Sequence, residues 1–189
     1  MKLSVHHHFG RLYDAGRKAW QDPEAVLQAV GLKSGMLFID VGCGYGFFSL
    51  PAARTVGEEG EVIGIDVNLK WLRFMLESAG KAKIFNLSAV VGRAESAMIY
   101  SRRADVVFFG NVLHDFDDPV KALTNARRML KEGGILANLD WRKEDSDVGP
   151  PMAIRFDESL ASRMISRSGL TIHSVTEQGP HHYLIKAVL

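Results

Sequence analysis

Three alternating glycines and one aspartate carry the strongest chemical signal in the chain. The segment Phe38-Ile39-Asp40-Val41-Gly42-Cys43-Gly44-Tyr45-Gly46-Phe47 runs from an apolar stretch into a glycine-rich turn. Glycine lets the backbone turn tightly and leaves no side chain between the main chain and a ligand. At a strand-to-helix junction, such a turn exposes amide N–H groups and a helix N-terminus to a polar ligand group. A second apolar stretch, Glu61-Val62-Ile63-Gly64-Ile65-Asp66, ends in a carboxylate that can accept hydrogen bonds from both vicinal hydroxyls of a ribose. Singly, the glycines also suit a plain structural turn and Asp66 a surface helix cap. Together they describe a nucleoside pocket at the carboxyl edge of a parallel sheet.

The spacing of the glycines separates the candidate nucleotides. A dinucleotide fingerprint requires G-x-G-x-x-G, and from Gly42 its last glycine would fall on Phe47. A phenylalanine there obstructs the close helix-strand approach for which the third glycine exists. The chain instead has G-x-G-x-G preceded by Asp40, which leaves an NAD-linked oxidoreductase as the alternative rather than the leading interpretation.

The elements that must hold these residues are legible from periodicity. Val26, Leu27 and Val30 recur at helical spacing between Pro23 and Gly31. Met36 to Val41 and Glu61 to Asp66 are expected strands, joined by a helix from Phe47 to Val56 that Pro51 either kinks or delays. Asn68 can cap a helix over Leu69, Leu72, Phe74, Met75 and Leu76. A third strand is expected within Ile84 to Val91 and a fourth at Asp105 to Phe109, an almost unbroken apolar run of the kind buried on both faces. Asp118-Pro119 opens a helix expected to continue to Gly133-Gly134, before a fifth strand from Ile135 to Trp141. These five strand-helix alternations imply right-handed crossovers and a parallel sheet. After a loop and a helix near Asp157 to Ser168, two strands, Leu170 to Glu177 and His182 to Val188, are separated only by Gln178-Gly179-Pro180-His181 and must be antiparallel. The expected fold is therefore α/β: a seven-stranded, mostly parallel, Rossmann-like sheet with helices on both faces and a C-terminal antiparallel hairpin.

Composition narrows the partners. The chain has 189 residues, 47% hydrophobic and 24% charged, with a formal charge of +1. That suits one globular domain and makes no electrostatic case for nucleic acid. No apolar segment approaches a membrane-spanning length, so a cytoplasmic protein without membrane insertion is expected. Cys43 is the only cysteine, which excludes an internal disulfide and suits packing beside a cofactor. His6-His7-His8 has no partner set for coordination, and no metal is expected. A small-molecule substrate is the expected partner, and a homodimer is compatible with the sequence.

These motifs resemble the class I S-adenosylmethionine-dependent methyltransferases, specifically the small-molecule branch related to quinone-biosynthesis C-methyltransferases. That family's first motif, D-x-G-x-G-x-G, is matched by Asp40-Val41-Gly42-Cys43-Gly44-Tyr45-Gly46, and its acidic ribose ligand by Asp66. The resemblance implies S-adenosylmethionine as cofactor, bound by Asp40, Gly42, Cys43, Gly44, Gly46, Asp66, Val67, Arg93, Ala94, Glu95, Asn111 and Val112. It covers residues 32–189, assigned as the methyltransferase domain, with 1–31 as an N-terminal segment and helix able to form a lid. Relatives place an acidic residue beside the adenine amino group in a G-D-A-E-like sequence, where Gly92-Arg93-Ala94-Glu95 has Arg93. Either Glu95 or a backbone carbonyl supplies the contact, or the adenine end is bound differently.

The substrate side is drawn more loosely. Gly110-Asn111-Val112-Leu113-His114-Asp115-Phe116 resembles the family's segment between cofactor and substrate. His114, with an ordinary pKa near neutrality, is the candidate general base, oriented by Asp115 or Asp117. Tyr13, Asp115, Trp141, Arg142 and His181 are candidate substrate contacts, and Tyr13 and Arg17 belong to the candidate lid. A lone cysteine argues against arsenite methylation, and Asn111-Val112-Leu113 departs from the N-P-P-Y-like segment of adenine-N6 enzymes. The expected activity is methyl transfer to a small metabolite, with a noncatalytic S-adenosylmethionine-binding module as a further alternative.

Overall fold

A computed structural model describes residues 16–97 and 99–189 of the chain. Tyr13 and the His6–His8 run lie outside them. A four-residue helix α1 (Arg17–Trp20) leads into α2 (Pro23–Val30), which is capped by the Asp22 carboxylate and stopped by Gly31 at φ 92°. There follow β1 (Leu37–Val41), α3 (Ser49–Val56), β2 (Glu61–Asp66), α4 (Leu69–Lys81) and β3 (Leu87–Val91). The remainder comprises β4 (Ala104–Gly110), α5 (Pro119–Met129), β5 (Leu130–Trp141), α6 (Glu158–Arg167), β6 (Thr171–Gln178) and β7 (His182–Val188).

The seven strands form one sheet in the order β3-β2-β1-β4-β5-β7-β6. All pairs through β5 are parallel, and β7 inserts antiparallel between β5 and β6. The expected hairpin thus forms, and its second strand, not its first, joins the parallel part. Every residue of β1 is buried, as a strand covered on both faces requires. On one face, Val26, Leu27 and Val30 of α2, Ala52 and Val56 of α3, and Leu72 and Met75 of α4 pack on Phe38, Val62 and Phe108. On the other, Leu123 and Met129 of α5 and Ala161 and Ile165 of α6 pack on Ile39, Ile63, Val107 and Phe109. Each fully buried Leu or Phe in these layers contributes about 1.5–3 kcal/mol relative to exposure. Helix α2, which precedes residue 32, shares this core.

Local differences from expectation have local causes. Helix α3 begins at Ser49, which puts Pro51 in the first turn, where a missing N–H costs nothing. Strand β3 starts only at Leu87, because Ile84 closes the preceding helix through its N–H to Ala79 O and Lys83 has a left-handed φ of 55°. Helix α5 ends at Met129 rather than at Gly133-Gly134: Leu130 is extended and pairs with Ala104, with a register shift before Val106. The link between β3 and β4 contains turns and no regular helix among its described residues, so the third of the five expected alternations lacks its helix.

The order reverses at β1, whose two neighbours, β2 and β4, carry the chain in opposite directions across the sheet. Outside the carboxyl ends of β1 and β4, crossovers diverge and leave a crevice. Asp40 and Gly42, Asp66, and Asn111 all stand at that edge.

Candidate functional site

The crevice is a cavity of about 810 Å³. Small-molecule sites span roughly 300–1,000 Å³. Its floor is the turn after β1. Gly42 has φ 73°, and a Cβ there would lie 2.5 Å from Val112 Cγ2, so only glycine lets this turn touch the turn after β4. Gly44 has φ 54° and open space where a Cβ would stand, which leaves bare backbone facing the cavity.

Asp66 ties the two sequence motifs together. Its Oδ2 accepts from Gly44 N at 2.9 Å and its Oδ1 from Asn68 N at 2.8 Å. Each carboxylate oxygen retains acceptor capacity for a ligand hydroxyl. Burial raises the Asp66 pKa, partly offset by those backbone hydrogen bonds. Asp40 is more deeply enclosed, with Ser49 Oγ donating to its Oδ2 at 2.6 Å. Burial, opposed by that hydrogen bond and reinforced by the Asp66 charge, pushes Asp40 up to about 7. Cys43 is buried and its thiol is held well above its ordinary pKa, which suits packing and not nucleophilic attack.

At the rim, Arg93 Nη2 donates to Asp117 Oδ2 at 2.6 Å and to Glu95 Oε1 at 3.4 Å. The Glu95 side chain is only 9% exposed and lines the cavity with Val67 and Ala94. Asn111, Val112, Asp115 and Phe116 form the β4 side of the wall. Asn111 adopts a left-handed φ of 59°, with its N–H anchored on Leu139 O. Every cofactor-side candidate from the sequence therefore borders one cavity.

The substrate-side candidates divide. Asp115 lines the cavity, whereas His114, Trp141, Arg142 and His181 do not. His114 Nδ1 is 2.8 Å from Asp140 Oδ1 and its side chain is 3% exposed. Burial opposes a charge on this ring, but the neighbouring Asp140, through charge and hydrogen bond, and Asp115 outweigh it and push His114 up to about 9. With Nδ1 held by Asp140 and the ring outside the cavity lining, His114 is placed to brace the turn after β4 more than to take a proton from a ligand in the cavity. Trp141 is buried beneath Gly149, with the Arg155 guanidinium 5.3 Å from its ring, and completes the core. Arg142 is paired with Glu144 and Glu177. His181 packs against Trp20 and Trp141.

Arg17, expected from the sequence in a candidate lid, borders the site itself. Although only 7% exposed, it lines the cavity, with its guanidinium carbon 3.7 Å from the centre of the Phe47 ring. Phe47 thus supports a cation at the position a dinucleotide glycine would occupy. Asp140 was also hidden, although a carboxylate within the apolar strand Ile135 to Trp141 is itself a signal, since aspartate is rarely buried unpaired. Tyr45, Trp71 and Phe74 add an aromatic wall, with Tyr45 and Trp71 ring centres 5.0 Å apart.

Comparison with known proteins agrees with this geometry. Residues 32–168 match a family described as a methyltransferase domain. Demethylmenaquinone methyltransferase of Staphylococcus aureus is 32% identical over 123 residues, covering 65% of this chain and 49% of that protein. The Shouchella clausii enzyme of that name is 30% identical over 65% of this chain and 52% of its own length. The chain spans about half the length of these curated relatives. A solved SAM-dependent methyltransferase from Aquifex aeolicus superimposes with a TM-score of 0.89, at 30% identity over 94% of this chain and 95% of the other. Geranyl diphosphate C-methyltransferase from Streptomyces coelicolor, solved with S-adenosyl-L-homocysteine, has a TM-score of 0.74 at 14% identity, covering 88% and 77% of the two chains, a likeness of fold alone.

Proposed function

Because the chain belongs to the class I S-adenosylmethionine-dependent methyltransferases, in the branch related to quinone C-methyltransferases, we propose that it transfers a methyl group from S-adenosylmethionine to a small metabolite with an apolar or aromatic body. The observation that carries this is the donor and acceptor set of the cavity. A carboxylate for vicinal hydroxyls, bare glycine backbone, a buried guanidinium and a second buried carboxylate match the ribose, carboxylate and ammonium of that cofactor.

In this reading Asp66 accepts from the ribose hydroxyls, while Gly42, Cys43, Gly44 and Gly46 let the backbone approach the ligand closely. Arg17 pairs with the carboxylate of the amino-acid end, as a planar guanidinium does best. Asp40, ionised, balances the ammonium and the sulfonium. Val67, Ala94 and Val112 flank the adenine and the methionine chain. Glu95, rather than position 93, supplies the acceptor for the adenine amino group, since Arg93 is engaged with Asp117 at the rim.

The bound cofactor supplies an electrophilic methyl group on a sulfonium. The chain's own residues align and shelter it. Phe47, Val112 and Phe116 are apolar walls that exclude water from the line of attack. Asp115, at the mouth, is the acidic side chain from the sequence-derived substrate set that lines the cavity, and it takes the acceptor's polar group. His114 and Asp140 hold that turn from behind.

The aromatic wall of Tyr45, Trp71 and Phe74 supports the preference for an apolar acceptor, and the quinone enzymes among the relatives accord with it. No helix among the described residues is long and apolar enough to cross a membrane. A cytoplasmic enzyme acting on a small molecule, without nucleic acid, completes the proposal. Incubation with S-adenosylmethionine and a panel of hydroquinones, phenols and small amines tests it by S-adenosylhomocysteine release. Acceptor-dependent release supports the proposal; tight cofactor binding with no release from any acceptor favours a noncatalytic module.

A further inference from the structure

A buried glutamine that does not itself line the cavity fixes the polarity of two residues that do. Gln21, 3% exposed, follows α1. Its Oε1 accepts from Arg17 Nε at 2.8 Å, from Arg17 Nη2 at 2.7 Å and from Asn111 Nδ2 at 3.0 Å. Its Nε2 lies 3.0 Å from His182 Nε2. These contacts span three separate elements: α1, the turn after β4, and the start of β7.

Donor and acceptor roles follow without ambiguity. A guanidinium only donates, so the end of Gln21 facing Arg17 is the oxygen. The amide nitrogen then faces His182, whose Nε2 must be an unprotonated acceptor. That agrees with the ring's environment, for it is stacked on Trp20 at 5.8 Å and packed on Trp141 at 4.2 Å. Asn111, meeting an oxygen, must offer its NH2. Its own Oδ1 is buried and has no partner among the described residues. One amide therefore orients a cation and an asparagine on the same wall, and anchors the side chain of a residue whose backbone is already in the left-handed region.

We propose that Gln21 is a positioning residue that sets Arg17 and Asn111 together toward the amino-acid end of the cofactor, so that the site separates ligands carrying that end from nucleosides lacking it. The inference rests on the proposal above that Arg17 meets the cofactor's carboxylate. It reaches beyond it by giving a residue outside the cavity control of ligand discrimination.

The test compares S-adenosylhomocysteine, which has the amino-acid end, with 5′-methylthioadenosine, which lacks it, by calorimetry on the full chain. Gln21→Leu is expected to weaken S-adenosylhomocysteine about tenfold or more and 5′-methylthioadenosine less than about twofold, whereas Gln21→Glu, which keeps the acceptor for Arg17 and Asn111, restores the ratio. Gln21→Asn, which withdraws the amide by one methylene, serves if the leucine variant does not fold, and is expected to show the same selective loss. Equal loss of both ligands in the folded variants, or no loss, overturns the inference. Arg17→Met isolates the underlying proposal: if it leaves the ratio of the two affinities unchanged, the assignment of Arg17 fails whatever Gln21 does. A selective loss in Arg17→Met without one at Gln21 overturns only the role of Gln21.

Discussion

His114 and Asp140 form a buried pair, Nδ1 to Oδ1 at 2.8 Å, that joins the turn after β4 to the end of β5 outside the cavity lining. Its contribution is to stability, and the sign follows from the pKa. The folded value, about 9, lies above the ordinary 6.5. The stabilisation is therefore full below pH 6.5 and is lost as pH rises through about 9. His114→Gln leaves Asp140 buried and unpaired, a loss of about 3–5 kcal/mol near neutrality. Denaturant melts of both proteins from pH 6 to 10 are expected to show this gap narrowing with rising pH. A gap constant across that range contradicts the assigned charge on His114.

Asp40 has the same sign of pH dependence, but from burial of a carboxyl group and not from an ion pair. Its folded pKa, about 7, lies above the ordinary 3.8, so the ligand-free protein retains a proton that the unfolded chain releases between those values. Its contribution to stability is present at low pH and lost as pH rises through about 7. A cationic ligand beside Asp40 favours the ionised form, so binding expels that proton. S-adenosylmethionine affinity is expected to rise between pH 6 and 7 by up to about tenfold. Titration calorimetry in two buffers of different ionisation enthalpy should show proton release, absent in Asp40→Asn.

Asp66 does two jobs, and substitutions separate them. Asp66→Asn retains an acceptor oxygen but loses the charge, and cofactor binding is expected to weaken by about 1.5–3 kcal/mol, roughly 10- to 150-fold. Asp66→Ala also strips the acceptor from the Gly44 and Asn68 N–H groups, so its melting temperature should fall below that of the asparagine variant. Unchanged affinity in Asp66→Asn removes the ribose assignment.

Arg93 stands where relatives carry an acid, yet it faces the rim. Its ion pairs are exposed and contribute little, so Arg93→Ala should change cofactor affinity by less than about threefold. Glu95→Gln, at the enclosed position, should weaken it by about tenfold. Fluorescence titration of both variants checks the pair, and the reverse order of effects would return the adenine contact to position 93.

Much of this architecture was written in local patterns. The apolar runs at Phe38, Val62 and Val106, the glycine alternation and the short link before His182 each depend on near neighbours in the chain, which is why β1, β2, β4 and the terminal hairpin were legible. What escaped depends on distant partners. His114 reads as a free base until Asp140, 26 residues away, is seen beside it. Gln21 reads as a loop residue, because Asn111 and His182 lie 90 and 161 positions further on. Helix α1 is too short to show periodicity, so Arg17 gave no sign of entering the cavity. The end of α5 was hidden for a different reason: pairing of Leu130 with Ala104 overrode a helical pattern that continued to the next glycine.

The central claim is that the crevice between β1 and β4 is an S-adenosylmethionine site and not a dinucleotide site. Calorimetric titration of the full chain with S-adenosylhomocysteine and, separately, with NAD tests it most directly. One saturable site for S-adenosylhomocysteine, with no heat from NAD, is the expected result. Binding of NAD with no response to S-adenosylhomocysteine would contradict it.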